Sequence, residues 1–125
     1  MSKNILNILV VSASSLPLAR KIRDKYQGKT TIYCREADND VEPFTSFEEL
    51  AGDLFDKSEA MVFIGAMGIC VRSIAPYVKS KYTDPAVVCL DSTGKYVVSV
   101  LSGHIGGANE LTHELARLLD AEAVV

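Results

Sequence analysis

The strongest constraint on this chain is the nearly continuous apolar run Ile5-Leu6-Asn7-Ile8-Leu9-Val10-Val11. A strand with one face in water alternates apolar and polar side chains, so a run apolar at almost every position must be covered on both faces. Ala60 to Ile64 repeats the pattern, and residues 30–34, 86–90 and 96–100 read as further strands. Helix signals lie between them. Ser14 or Ser15 caps a helix that has Pro17 near its first turn, an apolar stripe at Leu18, Ile22 and Tyr26, and a stop at Gly28. Ser46-Phe47-Glu48-Glu49 matches a capping box, and Phe47, Leu50, Ala51, Leu54 and Phe55 then share one helical face. A short helix over 69–78 is predicted to bury Cys70, Ile74 and Tyr77. A last helix has Ala108, Leu111, Leu115, Leu118 and Leu119 on its core face. The expected fold is therefore α/β: a single domain over 1–125, a three-layer sandwich around a mostly parallel sheet of about five to six strands. One hairpin is expected within it, turning at 91–95. A new apolar run starts at Ala123, which predicts that the chain is cut from a longer polypeptide.

Composition removes other classes. Of 125 residues, 48% are hydrophobic and 23% charged, which is far from a disordered chain. No apolar stretch approaches the roughly 20 residues of a membrane-spanning helix. A pI near 5.3 gives no basic footprint for nucleic acid. The acidity is local: residues 31–60 hold nine Asp/Glu against two Lys/Arg, whereas residues 1–30 hold six Lys/Arg against one Asp. We read the acidic stretch as a solvated face. Residues 5–11 are too short, and interrupted by Asn7, to read as a signal peptide. Cys34, Cys70 and Cys89 are odd in number and unpaired in spacing, which predicts reduced thiols and a cytoplasmic location. His104 and His113 are too far apart for a helical zinc pair, so no metal site is expected.

Open parallel sheets collect ligands beyond the carboxyl ends of their strands, which makes three loops candidates. Ser12 to Ser15 offers hydroxyls and a helix start, either as an anion site or as a plain cap. Gly65-Ala66-Met67-Gly68 allows close backbone approach, with Arg72 one turn further on to meet a carboxylate. Ser102-Gly103-His104-Ile105-Gly106-Gly107-Ala108-Asn109-Glu110 has three glycines around a histidine, a side chain suited to proton transfer. His113 points away from the apolar stripe of the last helix and reads as a solvent-side residue. A polar loop at 79–85 adds Lys79, Lys81 and an Asp84-Pro85 turn. A joint site requires the 65–68 and 102–107 loops to share one end of the sheet.

The ordered segments Gly68-Ile69-Cys70-Val71-Arg72-Ser73-Ile74-Ala75-Pro76, residues 79–88 and residues 101–111 resemble the N-terminal domain of the CbiG family. That family comprises the cobalt-precorrin-5A hydrolases of anaerobic cobalamin biosynthesis. The resemblance covers roughly residues 60–125; the first 60 agree only as a βαβα lead-in. It implies hydrolysis of a δ-lactone on a cobalt-containing tetrapyrrole with release of acetaldehyde, and no cofactor beyond the cobalt carried by the substrate. Gly65, Gly68, Arg72, Lys79, Lys81, Asp84, Ser102, Gly103, Gly106, Gly107 and Asn109 are then expected to bind substrate. His104 or Glu110 is the expected general base, and His104 could instead ligate the substrate's cobalt. Expected partners are the tetrapyrrole and other corrin-pathway enzymes or a fused methyltransferase domain, with neither nucleic acid nor membrane. Two other readings compete. One is a non-catalytic tetrapyrrole-binding module; the other is a flavodoxin-like domain that binds phosphate or a nucleotide at Ser12 to Ser15.

Overall fold

The computed structural model describes residues 5–125. Six strands form one sheet: β1 (Ile5–Val10), β2 (Lys29–Cys34), β3 (Ala60–Ile64), β4 (Ala86–Leu90), β5 (Tyr96–Leu101) and β6 (Glu122–Val124). Their spatial order is β2-β1-β3-β4-β5-β6. The first four are mutually parallel, β5 runs antiparallel to β4, and β6 is parallel to β5. Four α-helices cover the sheet: α1 (Leu16–Lys25), α2 (Phe47–Phe55), α3 (Met67–Ile74) and α4 (Ala108–Leu119). The expected three-layer α/β architecture with one antiparallel hairpin is what the chain adopts.

Strand pleating sorts the apolar residues into two cores. Leu6, Ile8, Val10, Val62, Ile64, Val88 and Leu90 face α1 and α4, while Leu9, Met61, Phe63, Val87 and Cys89 face α2 and α3. This two-sided burial is why β1, β3 and β4 lack alternation in sequence. The one polar interruption is satisfied: buried Asn7 donates to the Ser58 hydroxyl at 2.6 Å, and Ser58 in turn donates to the Leu54 carbonyl at 2.8 Å. An unpaired amide at that depth would cost about 1–3 kcal/mol.

Boundaries moved where local chemistry overrode pattern. Ser46 caps α2 as its motif predicts, its hydroxyl accepting from the Glu49 amide at 3.3 Å. Helix α1 ends before Gly28, with Tyr26 already extended at its C-cap. Helix α3 starts at Met67, earlier than the 69–78 expectation, so Gly68 lies inside the helix rather than in the turn before it. The helix tightens to a 3-10 turn over Ala75–Tyr77, where Pro76 removes a backbone donor. Cys70 and Ile74 are buried as predicted; Tyr77 is only half-buried, its hydroxyl donating to the Glu48 carbonyl at 3.0 Å.

Candidate functional site

The reversal of β5 decides where the candidate loops lie. Val97 pairs with Leu90 at the carboxyl end of β4, and Leu101 pairs with Val87 near its amino end. The chain therefore leaves β5 at the amino edge of the parallel strands. Residues 65–68 follow the carboxyl end of β3, whereas residues 102–107 sit at the opposite edge. The joint site that the sequence pattern invites does not form. The carboxyl-end rule failed because it holds for parallel strands, and the glycine-rich loop follows an antiparallel one.

The amino edge gathers ten of the thirteen candidate residues: Lys79, Lys81, Asp84, Ser102, Gly103, His104, Gly106, Gly107, Asn109 and Glu110. Two loops are joined there by Ser102. Its hydroxyl donates to the Asp84 carbonyl at 3.1 Å, and its own carbonyl accepts from the Ala108 amide at 3.1 Å. Ser102 is 8% exposed and has φ of 60°, a left-handed conformation that a non-glycine residue holds only when its surroundings impose it. A shift in register between Val87 and Val88 lies alongside.

Asp84 organises the other loop: one carboxylate oxygen accepts from the Lys79 amide at 2.9 Å and the Ser80 amide at 3.1 Å. Asn109 Oδ1 accepts from the Ser99 hydroxyl at 2.7 Å, and the Asn109 amide donates to the Gly103 carbonyl at 3.0 Å. These groups are structural ties. Gly106 is required by crowding, because a Cβ there would stand 2.5 Å from Ser102 Cβ and 2.9 Å from its carbonyl oxygen. Gly107 is required by conformation, with φ of 88° just before α4.

What the ties display is apolar, cationic and rich in free donors. Val78, Tyr82 and Ile105 are exposed large apolar side chains on the two loops. The Lys81 ammonium lies 5.5 Å from the Tyr82 ring centre, and Lys79 pairs with Asp56 at 3.5 Å. His104 is exposed, as is His113 further along on the outer face of α4. The amides of His104, Ile105, Gly106 and Gly107 meet no protein acceptor among the described residues. Glu110 lines a cleft of about 220 Å³ with Gly106 and Gly107.

Tyr26, Glu59 and Glu114, none of them expected at a site, complete that cleft. Burial raises the Tyr26 phenol, and Glu59 and Glu114 raise it further, so Tyr26 remains a neutral donor beside carboxylates. Sequence pattern assigned Tyr26 to a core stripe, and no local signal links it to Glu110 across the sheet edge.

At the carboxyl edge the remaining candidates do structural work or stand apart. Gly65, with φ of 150°, lies so close to Val11 that a Cβ would sit 2.4 Å from its Cγ2. Ser12 caps a 3-10 turn through the Ser14 amide at 3.4 Å, and Ser15 is buried with its hydroxyl donating to the Ser92 carbonyl at 3.0 Å. Ser12 therefore caps the 3-10 turn, whereas the expected side-chain cap of α1 by Ser14 or Ser15 does not form, because the Ser15 hydroxyl is turned to Ser92 instead. Cys70 and Cys89 meet beneath the 65–66 turn; their mutual hydrogen bond and then burial push the Cys70 thiol up, keeping it protonated. Gly68 and Arg72 lie together on α3, with the Arg72 guanidinium folded back over Gly68.

The strand order 2-1-3-4-5 is that of flavodoxin-like doubly wound domains, here with an inverted fifth strand, a parallel sixth beside it and a tied loop pair at the amino edge. Residues 49–125 match the family model described as cobalamin synthesis G N-terminal. The chain belongs to that family.

A cobalt-precorrin-5A hydrolase from Priestia megaterium is 38% identical over 125 residues, covering 94% of this chain and 33% of the relative. Another from Salmonella typhimurium is 51% identical over 79 residues, covering 63% of this chain and 22% of the relative. The chain thus spans a third or less of these curated proteins. The crystal structure of a cobalamin biosynthesis protein G homolog from Sulfolobus solfataricus superposes with a TM-score of 0.77 at 24% identity. The superposition covers 98% of this chain and 37% of that one, and it supports the fold. The Priestia alignment extends the likeness well upstream of residue 60, beyond what the motifs alone suggest.

Proposed function

We propose that this chain supplies the substrate-cradling part of a cobalt-precorrin-5A hydrolase, with the amino-edge loops as its contact surface. The observation that carries the reading is Ser102: a buried left-handed residue binding two loops into one surface on which most candidate residues converge. Strain held in place by surrounding contacts is characteristic of sites with a geometric task. The chemistry of the surface fits a flat apolar ring with carboxylate arms. Val78, Tyr82 and Ile105 offer apolar area, and Lys79 and Lys81 offer charge. The amides of residues 104–107, without an acceptor among the described residues, are donors for a carboxylate or a developing oxyanion.

Lactone hydrolysis needs a base to take a proton from water as it adds to the carbonyl carbon. The lactone C–O bond then breaks to a carboxylate and an alcohol. Loss of the alcohol proton, with cleavage of its carbon–carbon bond to the tetrapyrrole ring, releases acetaldehyde, and the ring carbon takes up a proton. Glu110 in the cleft and His104 on the loop are the two candidates for the base, and in this reading the cobalt arrives with the substrate. The cleft itself, with Glu110 and Glu114, repels carboxylate arms, so the ring's polar rim belongs over the lysine loop and its reacting edge toward Glu110. A fused corrin-ring methyltransferase or another enzyme of the pathway is the partner such a piece would serve.

The test joins this chain to the remaining part of the Priestia megaterium relative and measures acetaldehyde release from cobalt-precorrin-5A without oxygen. Active chimera is expected, with Glu110→Gln or His104→Ala lowering turnover about 100-fold. Full activity of the double variant removes both residues from catalysis. A second reading is favoured by one observation: His104 and Glu110 are exposed and no hydrogen bond orients either side chain among the described residues. A module that only holds the tetrapyrrole would bind it undiminished in the double variant.

A further inference from the structure

A second groove, of about 270 Å³, opens on the other side of the molecule between the start of α2 and the body of α3. Arg35, which follows β2, and Arg72 of α3 both line it, together with Ser46, Phe47 and Glu48. The Arg35 guanidinium stacks on the Phe47 ring, 4.9 Å from its centre. The Arg72 guanidinium lies over Gly68, where a Cβ would stand 3.5 Å from its nearer nitrogen. Each cation is thus steered by an uncharged surface. Neither forms an ion pair among the described residues, although Arg20, Arg23 and Lys79 all do. Glu48 supplies one negative charge to the groove against two positive ones, and stays beyond ion-pair reach of both.

Two guanidinium groups brought to one groove repel each other, an arrangement that an anion between them would relieve. Guanidinium is also planar and forked, matched to carboxylate in two parallel hydrogen bonds. The geometry points to a site for a polycarboxylate, with Arg35 and Arg72 each taking one carboxylate. Arg35 lies in the acidic stretch 31–60, where the sequence gives no hint of an anion site; the fold alone brings it to the same groove as Arg72. The groove belongs to the carboxyl edge, so this proposal stands independently of the amino-edge reading above.

Either a free polycarboxylate or the carboxylate arms of a tetrapyrrole could supply the anion, and both can be tested on the 125-residue chain. Citrate and a free-base porphyrin carrying four propionates serve as probes, each titrated at low salt while the arginine side-chain and backbone amide NMR signals are followed. Saturable shifts are expected at Arg35 and Arg72 and at the amides of 46–48 and 68–73. Arg35→Gln and Arg72→Gln should each weaken binding about tenfold, with Arg72→Lys intermediate because it keeps the charge but loses the fork. Both side chains are exposed, so circular dichroism should report unchanged folding. Binding of citrate alone identifies a free polycarboxylate, and displacement of citrate by the porphyrin identifies tetrapyrrole arms. Undiminished binding in the double variant, or no shift at the groove with either probe, overturns the proposal. Neither result depends on whether the chimera hydrolyses its substrate.

Discussion

The two edges of this sheet solve different problems with the same residue type. At the carboxyl edge, Gly65 lets β3 pass close to Val11, and the neighbouring hydroxyls of Ser12 and Ser15 are occupied in caps and ties. At the amino edge, Gly106 and Gly107 belong to a loop whose amides at 104–107 meet no acceptor among the described residues. Gly65 and Gly106 both permit close packing; what sets the second edge apart is that row of amides without an acceptor among the described residues. A glycine-rich loop therefore becomes informative only when the fate of its backbone amides is known.

The contrast can be broken by substitution, and Gly106→Ala should have the largest effect. Its Cβ would meet the Ser102 backbone, which cannot rotate away, so unfolding in urea should show a loss of about 3 kcal/mol. Gly107→Ala should cost only about 1 kcal/mol, because nothing lies within 4 Å of the new Cβ and only the left-handed backbone resists. Equal losses at the two positions would mean that the loop relaxes freely and that Ser102 is not held.

Asp84→Ala is next, at about 2 kcal/mol, since it strands the Lys79 and Ser80 amides in a part-buried loop. Hydrogen exchange should then quicken across 79–84 and 102–107 together. Quickening confined to 79–84 would show that the loops are not one unit.

The smallest expected effect belongs to the carboxyl edge. Burial alone would raise the Asp91 carboxyl, but hydrogen bonds from Thr93, Tyr96 and Lys95 outweigh it and hold the group below the usual range. A depressed carboxyl stabilises the fold above its unfolded value near 4, and that contribution disappears as pH falls through the folded value. Urea midpoints of wild type and Asp91→Asn should therefore converge on acidification from pH 7 toward pH 3. A constant gap would remove Asp91 from the acid response.

Much of the fold was legible locally. Ser46 and Glu49 announced α2, and the unbroken apolar runs announced strands buried on both faces, because capping and burial leave short-range marks. The α3 boundary was misplaced because Gly68 reads as a turn residue, whereas Ala66 opens the helix without any side-chain cap. Of the candidate site, residue types and order were readable, and the family follows from them. Tyr26, Glu59, Glu114 and Arg35 were not readable as site residues, since each acquires its neighbours only across the sheet.

Sequence by itself determined the alternation of strands and helices, the two-sided core and the loops in which glycine is unavoidable. These depend on contacts within a few residues or on a repeating period. The turn at 91–95 already marked β5 as the returning arm of a hairpin; tertiary structure alone decided which groups that reversal brings together. That one reversal sets Ser102 beside Asp84 and places the 102–107 loop at the edge opposite Gly65, while the packing of α2 against α3 brings Arg35 and Arg72 to one groove. Those neighbours follow from strand order and from the packing of α4 on the sheet, long-range terms that no window of sequence contains.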